Sequence, residues 1–376
     1  MRYGGLPYLL SSAGHPRDLA VKLARLYQRD RWRFSPRRLD RLVDAVPLDR
    51  PIFLLGVAGC GGTLIGRSLR RHPRVVSMSG ASDEWTGIDE LGVVRNRMPS
   101  LPQSLWGNKY RADIDDPLQG TTHFFASDDL LQTYRKTERD ATAEDARRLT
   151  RVLREHLAVY AHDPGRARFL DKTHTNTVKV PLLAELLATH DPHFVLVVRS
   201  PYACCPWLVR KKPPSFRVPL SWDRQLELAA EHWANTYGTA LEDATRVANV
   251  TVVRFEDWLA DPEAGTRTLC ATLDLDYDEA MVPRSGQRLP FATLPSDRKW
   301  YPIYRDSRAD GVTPSDIAII DRRCGELAAR LGYSPPVEGV RASRTESASP
   351  YSTASSGERN RSRSMSTMTC STSLPE

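Results

Sequence analysis

The sequence predicts an α/β protein in which a parallel sheet is flanked by helices. Three short runs of apolar residues, at 52–57, 193–199 and 250–253, show the continuous hydrophobic character of strands that are buried on both faces. Segments with helical periodicity separate these runs, and such an alternation of strands and helices is typical of a parallel sheet. A glycine-rich turn also joins the first strand to the first helix, an arrangement that suits the binding of phosphate groups.

Local signals define the individual elements. Thr142 is a suitable N-cap for an amphipathic helix, and Asp261 and Thr313 each precede a proline at the first helical position. Gly332 is placed to end the last helix. In chain order, we predict strand 52–57, helix 63–72, helix 142–161, strand 169–170, helix 178–189, strand 193–199, helix 222–247, strand 250–253, a helix after Asp261 and a helix after Thr313.

The chain divides into three predicted regions. Residues 1–49 form an N-terminal helical extension, in which 17–48 shows two short basic helices that pack against the main domain. Residues 50–333 form that domain, and the irregular stretch 80–140 indicates an insertion over one edge of the sheet. Residues 341–376 hold 16 Ser or Thr among 36 and almost no large aliphatic side chains, so we predict a disordered tail.

Composition and charge exclude several classes of protein. No apolar run reaches the roughly 18 residues that span a bilayer, and no secretory signal is visible, so we expect a cytoplasmic protein without a transmembrane segment. The six cysteines lack the spacing of a metal site or a disulfide framework, and we expect no metal. The net charge of +7 is modest for 376 residues and favours a small anionic ligand over a nucleic acid.

The glycine-rich turn at 56–63 is the strongest functional signal. Glycines allow backbone N–H groups to converge on an anion, and the N-terminus of the following helix adds a partial positive charge. The turn departs from the nucleoside-triphosphate pattern because Gly62 stands where a lysine is needed, which argues against a kinase. The dinucleotide pattern fails at Leu64, and the phosphatase pattern C-x5-R fails because Arg67 is one residue too far along.

Five segments resemble motifs of the sulfotransferase family, and they occur in the family's order. The resemblance covers about residues 50–333 and implies a P-loop-like sulfotransferase fold. It also implies the family's reaction, in which a sulfonyl group moves from 3′-phosphoadenosine 5′-phosphosulfate (PAPS) to a hydroxyl or amine by in-line displacement. The segments are 53–64 (the 5′-phosphosulfate loop), 170–176 (DKT and its surroundings), 194–201 (a strand and turn with an arginine), 252–258 (RFEDW) and 296–300 (a late loop).

The resemblance implies roles for particular side chains. Lys172 is expected to stabilise the leaving phosphate oxygen, and Arg199 to bind the 3′-phosphate. Glu84 is the expected base, with Asp83, His123 and His174 as alternatives. The implied catalytic residues are therefore Glu84, Lys172 and His174, and the implied nucleotide-binding residues are Gly59, Cys60, Gly61, Gly62, Thr63, Arg199 and Lys299.

Several positions depart from the family pattern. Gly59 stands where a lysine or arginine is usual, Trp207 replaces a serine of the 3′-phosphate site, and His174 replaces a proline. These departures keep open an alternative, a sulfotransferase-like protein that binds an adenine nucleotide without turnover. The acceptor is expected to be a small molecule, a carbohydrate or a lipid. Aromatic residues that suit its pocket are Trp85, Trp106, Tyr110, Phe124 and Phe125.

Overall fold

Seven stretches of the chain are described by the structure, a computed structural model. They are residue 41 and residues 43–77, 90–93, 100–107, 124–211, 219–284 and 312–336. All of them fall within a first unit, Met1–Glu338, whereas a second unit, Gly339–Glu376, lies wholly outside the described residues. The predicted boundaries of the extension 1–49, the domain 50–333 and the tail 341–376 therefore remain predictions from the sequence.

A parallel sheet is the centre of the described part of the chain. Its strands are β1 (Ile52–Leu55), β2 (Val75–Ser77), β3 (Arg168–Asp171), β4 (His193–Val198) and β5 (Val250–Arg254). They lie in the order β2-β3-β1-β4-β5, and every neighbouring pair is parallel. The predicted α/β class with a helix-flanked parallel sheet is confirmed.

Helices connect the strands. No helix among the described residues combines the length and the apolar character that a membrane crossing requires. The α-helices are α1 (Gly62–Leu69), α2 (Leu131–Tyr134), α3 (Ala143–Tyr160), α4 (Val180–Leu186), α5 (Pro201–Lys211), α6 (Trp222–Asp243), α7 (Phe255–Ala260), α8 (Pro262–Leu273) and α9 (Pro314–Arg330). The bounds of the predicted helices agree with the structure to within about four residues, whereas α2, α5 and α7 were not predicted.

The predicted N-caps are confirmed by hydrogen bonds. The Thr142 hydroxyl accepts from the Asp145 N–H at 3.0 Å, and the Asp261 carboxylate accepts from the Ala264 N–H at 3.0 Å. Thr313 forms a capping box with Asp316, in which each side chain accepts from the other residue's N–H. Each of these caps satisfies a backbone donor that a helix start would leave without a partner.

Strand burial agrees with the apolar runs in part. β1 and β4 are buried along their whole length or nearly so, as their apolar runs predicted, and the short predicted strand at 169–170 lies within the buried β3. β5 is an edge strand whose side chains are at most partly buried, so the expectation that 250–253 is buried on both faces is wrong. β2 has three residues, which is too short for a periodic pattern, and it was missed.

The order of the strands brings three loops together. β1 lies between β3 and β4, so the carboxyl ends of these three parallel strands meet at one edge of the sheet. The glycine-rich loop follows β1, Lys172 follows β3, and Arg199 follows β4. This edge is where open α/β sheets bind their ligands.

A buried ion pair holds one of these loops. After Lys172 and Thr173 the chain forms a short 3₁₀ helix, His174–Val178, which we call the His174 turn. Arg135 donates to the Val178 carbonyl at 3.1 Å and, with the same Nη1, to an Asp243 carboxylate oxygen at 2.7 Å. The Asp243 side chain is 0% exposed, so the pair is shielded from water and fixes the far end of the turn.

Removing the Asp243 carboxylate should destabilise the protein strongly. Asp243→Ala leaves Arg135 without its buried counter-ion, and we expect the free energy of unfolding to fall by about 3–5 kcal/mol in chemical denaturation. Glu263→Ala is the matched control, because it breaks a pair with Arg267 in which both side chains are 56% exposed. That control should cost no more than about 1 kcal/mol. Equal costs for both variants would contradict the role of the Asp243 pair.

Candidate active site

The glycine-rich loop makes a tight turn between β1 and α1. Gly59 and Gly61 have φ angles of 88° and 97°, in the left-handed region that favours glycine. The Cys60 N–H donates to the Val57 carbonyl at 3.1 Å, and the Gly61 carbonyl accepts from the Leu64 N–H at 2.8 Å. Gly61 is thus the N-cap of α1, and the N–H groups of Gly62 and Thr63, which precede the first helical hydrogen bond, lie at the end of the loop.

The buried side chain of Cys60 packs against the glycines of this loop. Its Sγ would lie 2.8 Å from a Cβ added to Gly56 and 3.4 Å from a Cβ added to Gly62, so a larger residue at either position would be crowded. Burial raises the pKa of the Cys60 thiol, and the nearby charges of Lys172 and Arg199 act in the opposite direction. The thiol is therefore a neutral core group, and a cation flanks the loop on either side.

Lys172 is held against the first turn of α1. Its Cγ and Cδ lie 3.8 Å from the position that a Cβ on Gly62 would take, so the lysine stem covers this glycine. Its Nζ donates to Glu90 Oε1 at 2.8 Å, and its side chain is only 4% exposed. A strand that lies beside β1 thus brings a lysine side chain against the residue where the triphosphate-loop pattern lacks its own lysine.

His174 is joined to the start of the loop. Its Nδ1 lies 2.9 Å from the Gly56 carbonyl oxygen. A carbonyl can only accept, so Nδ1 carries a proton, and in the neutral form of the ring Nε2 is the nitrogen with the lone pair. That Nε2 lies 4.0 Å from Glu90 Oε1. The Gly56 N–H donates to Thr177 Oγ1 at 2.7 Å, so both backbone groups of Gly56 bond to the His174 turn.

Asp171 organises the segments that carry these groups. Its carboxylate accepts from the N–H of Leu91 (2.7 Å), the hydroxyl and N–H of Thr173 (2.8 and 3.2 Å) and the amide of Asn176 (2.9 Å). Burial raises the pKa of Asp171 to about 6, although the hydrogen bonds from Leu91 and Thr173 oppose the rise. The bond to Leu91 fixes the residue that follows Glu90, and so brings Glu90 to the end of β3.

Arg199 forms the other flank of the loop. It is 9% exposed, its Nη1 donates to the Gly59 carbonyl at 2.8 Å, and its guanidinium lies over the Phe255 ring at 5.5 Å from the centroid. The buried Nε has no hydrogen-bond partner among the described residues. The Arg199 carbonyl accepts from Trp233 Nε1 at 2.9 Å, which fixes the backbone that carries the guanidinium.

Two departures from the family pattern are in contact with each other. A Cβ on Gly59 would overlap the ring of Trp207, which therefore covers the side of the loop where another residue would begin its side chain. Trp207 is partly buried and packs against the hydrophobic core. The Trp207 ring occupies the space that a lysine or arginine side chain at position 59 would need, so the two departures depend on each other.

The structure brings together some of the predicted site residues and leaves others untested. The loop 59–63, Lys172, His174 and Arg199 meet at the carboxyl edge of the sheet. Four predicted residues lie outside the described part of the chain, namely Glu84, Lys299 and the alternative bases Asp83 and His123. Glu90 was not predicted, because it lies 82 residues before Lys172 and no local pattern marks it.

The aromatic residues proposed for an acceptor pocket have different surroundings. Phe124 and Phe125 are buried and pack edge-on against the His232 ring, with centroids 6.1 and 4.6 Å apart. Trp106 is partly buried and donates to the Leu101 carbonyl at 3.0 Å. Trp85 and Tyr110 lie outside the described residues.

Gly59 and Trp207 should be energetically coupled. Gly59→Ala places a side chain at a left-handed φ and against the Trp207 ring, so we expect it to cost about 1–3 kcal/mol of unfolding free energy. In a Trp207→Ala background this cost should fall by about 0.5–3 kcal/mol, because the overlap is gone. Gly238→Ala in α6 is the control, since a Cβ there meets nothing within 4 Å and alanine favours a helix. Strictly additive costs of the two loop substitutions would rule out the coupling.

Comparison with known proteins agrees with the resemblance seen in the sequence. The family model described as "Sulfotransferase family" matches residues 51–279, whereas no curated protein matches the chain. Similar solved structures include a sulfotransferase domain from the curacin biosynthetic pathway, with 16% identity, a TM-score of 0.44 and coverage of 77% of this chain and 99% of that one. Sulfotransferase STF9 from Mycobacterium avium has 14% identity, a TM-score of 0.47 and coverage of 86% and 88%.

Mouse sulfotransferase SULT7A1 complexed with PAP has 13% identity, a TM-score of 0.39 and coverage of 78% of this chain and 92% of that one. The identities and TM-scores are low, and the assignment therefore depends on the family model. Because this model matches more than half of the 376 residues, the chain belongs to the sulfotransferase family.

Proposed function

We propose that the protein transfers the sulfonyl group of PAPS to a hydroxyl or amine of an acceptor. Membership of the sulfotransferase family supports transferase activity. The observation that carries the specific proposal is the grouping of side chains at the carboxyl edge of the sheet. A glycine-rich loop is flanked there by the cations Lys172 and Arg199, and the His174 ring lies beside it.

The residues of the loop fit an anionic donor. The N–H groups of the first turn of α1 and the positive end of the helix suit the 5′-phosphate, and glycine at 61 is required because a Cβ there would overlap Phe255. Gly59, Cys60, Gly61, Gly62 and Thr63 would form this cradle. Arg199 would hold the 3′-phosphate, for which its buried Nε, without a hydrogen-bond partner in the described part of the chain, provides a donor. Lys299 is kept from the sequence as a further phosphate contact.

Lys172 would stabilise the leaving group. PAPS supplies an activated sulfonyl group, and negative charge grows on the oxygen between sulfur and the 5′-phosphate as the bond to sulfur breaks. A nearly buried ammonium group at the first turn of α1 lies beside the cradle where that charge appears. Preorganised charge of this kind lowers the barrier because it needs no reorganisation during the step.

His174 would accept the acceptor's proton. The bond from Nδ1 to the Gly56 carbonyl fixes the ring plane and leaves Nε2 as the nitrogen that would accept a proton, which is the arrangement that a general base requires. In the transfer the acceptor oxygen or nitrogen forms a bond to sulfur, and its proton passes to Nε2. The electron pair of the broken bond stays on the 5′-phosphate oxygen. Glu84, the base implied by the family resemblance, remains the alternative.

One observation favours the second candidate function, nucleotide binding without turnover. Trp207 covers the side of Gly59, so the loop has no side-chain cation there and the 3′-phosphate site has no serine hydroxyl. The presence of Lys172 and His174 at the loop supports turnover over this alternative. The acceptor class stays open among small molecules, carbohydrates and lipids.

Binding of adenosine 3′,5′-bisphosphate tests the donor site directly. Calorimetry should show binding of this product-like ligand and a clear preference for it over AMP. Arg199→Ala should weaken the affinity about 10- to 150-fold and reduce that preference, because a charged contact worth about 1.5–3 kcal/mol is lost. Arg267→Ala, on the exposed face of α8, is the control and should leave binding unchanged.

If Arg199→Ala kept both the affinity and the preference, the 3′-phosphate assignment would be wrong. Labelled PAPS, incubated with sugar, lipid and phenol acceptors, then separates the two candidate functions. Binding of the bisphosphate without label transfer to any acceptor would favour the non-catalytic one.

A further inference from the structure

The Glu90 carboxylate lies between the two catalytic candidates. Its Oε1 accepts from Lys172 Nζ at 2.8 Å and lies 4.0 Å from His174 Nε2. These three side chains come from separate segments: Lys172 and His174 follow β3, whereas Glu90 immediately precedes the short helix Leu91–Val93. The carboxylate therefore shares one small volume with the group that would meet the donor and the group that would take the proton.

The backbone beside Glu90 is tied to the end of β3. The Leu91 N–H donates to Asp171 at 2.7 Å, and the Gly92 N–H donates to Thr173 Oγ1 at 3.1 Å. The Glu90 side chain itself is 26% exposed, whereas that of Lys172 is 4% exposed. Glu90 can thus move its carboxylate toward solvent while its backbone stays fixed, and Lys172 cannot leave the loop so easily.

The ion pair has a consequence for an anionic ligand. In the present structure Lys172 is neutralised by Glu90, so a phosphate at the first turn of α1 must share the ammonium group with the carboxylate or replace it. Two anions in contact with one ammonium group repel each other in a partly buried site. Replacement releases the Glu90 carboxylate beside His174 Nε2.

We propose that Glu90 is a positioning residue that holds Lys172 until the 5′-phosphate of the donor displaces it, so that Glu90 lowers donor affinity by direct competition for the ammonium group. This inference rests on the proposed function. It identifies a determinant of affinity for phosphate-bearing nucleotides that acts through Lys172 and lies outside the glycine-rich loop.

Charge-conserving substitution separates competition from simple repulsion. Glu90→Asp keeps the negative charge but shortens the side chain, so it weakens the pair with Lys172. Competition predicts that Glu90→Asp and Glu90→Gln both bind adenosine 3′,5′-bisphosphate more tightly than the wild type, by about two- to fivefold, the size expected for a partly exposed ion pair. Repulsion alone predicts a gain for Glu90→Gln only.

The Lys172→Ala background completes the experiment. Without the ammonium group there is nothing to compete for, so Glu90→Asp should no longer change the affinity measured by calorimetry. Glu144→Gln is the matched control, because Glu144 forms an exposed pair with Arg147 on α3 and should not affect binding. Thermal melting of every variant verifies that it is folded.

The outcomes distinguish this inference from the proposed function. Unchanged or weaker binding in Glu90→Asp, with normal binding by the wild type, would overturn the competition and leave the donor site intact. A gain from Glu90→Asp that persists in Lys172→Ala would also overturn it. If the wild type did not bind the bisphosphate at all, both the proposed function and this inference would fail.

Discussion

The arrangement of the candidate site depends on the backbone N–H and carbonyl groups of Gly56. Its N–H donates to Thr177 and its carbonyl accepts from His174, so hydrogen bonds join the start of the glycine-rich loop to the His174 turn. Gly56 has a φ of 138°, and a Cβ there would lie 2.5 Å from the Val197 carbonyl of β4. Only glycine can therefore fit at position 56, between β4 and the His174 turn. The ring that would take a proton is consequently oriented by the loop that would bind the donor.

The site also shows how neighbouring strands can supply cations to a glycine-rich loop that has no cationic side chain at residues 56–63. Trp207 fills the space beside Gly59, and the adjacent strands β3 and β4 provide Lys172 and Arg199 instead. Both cations are nearly buried, and each is engaged by a partner, a carboxylate for one and a loop carbonyl for the other. Such partners hold the charges in place before a ligand arrives, and they also compete with that ligand for the same N–H donors.

Much of the fold could be predicted from the sequence, whereas the contacts within the site could not. The apolar runs of β1 and β4 and the caps at Thr142, Asp261 and Thr313 are local signals, and their predictions are confirmed. α5 was missed because Pro206 lies inside it and interrupts the expected pattern. Glu90 and Lys172 meet only because β3 and a distant segment converge, and the overlap of Gly59 with Trp207 likewise joins residues far apart in the chain. Pairings of this kind depend on tertiary structure, which a single sequence without homologues does not reveal.

The central claim is that a histidine held by the glycine-rich loop accepts the acceptor's proton. The most direct test measures how fast the His174→Gln variant transfers the labelled sulfonyl group from PAPS to an acceptor. Glutamine can still donate to the Gly56 carbonyl, so the loop keeps its bond while the lone pair of Nε2 is lost. With any acceptor that the wild type labels, turnover should fall by about 10²–10⁴, the usual contribution of a general base, while the affinity for adenosine 3′,5′-bisphosphate is unchanged. Wild-type turnover in His174→Gln, together with its loss in Glu84→Gln, would contradict the account and assign the proton to Glu84.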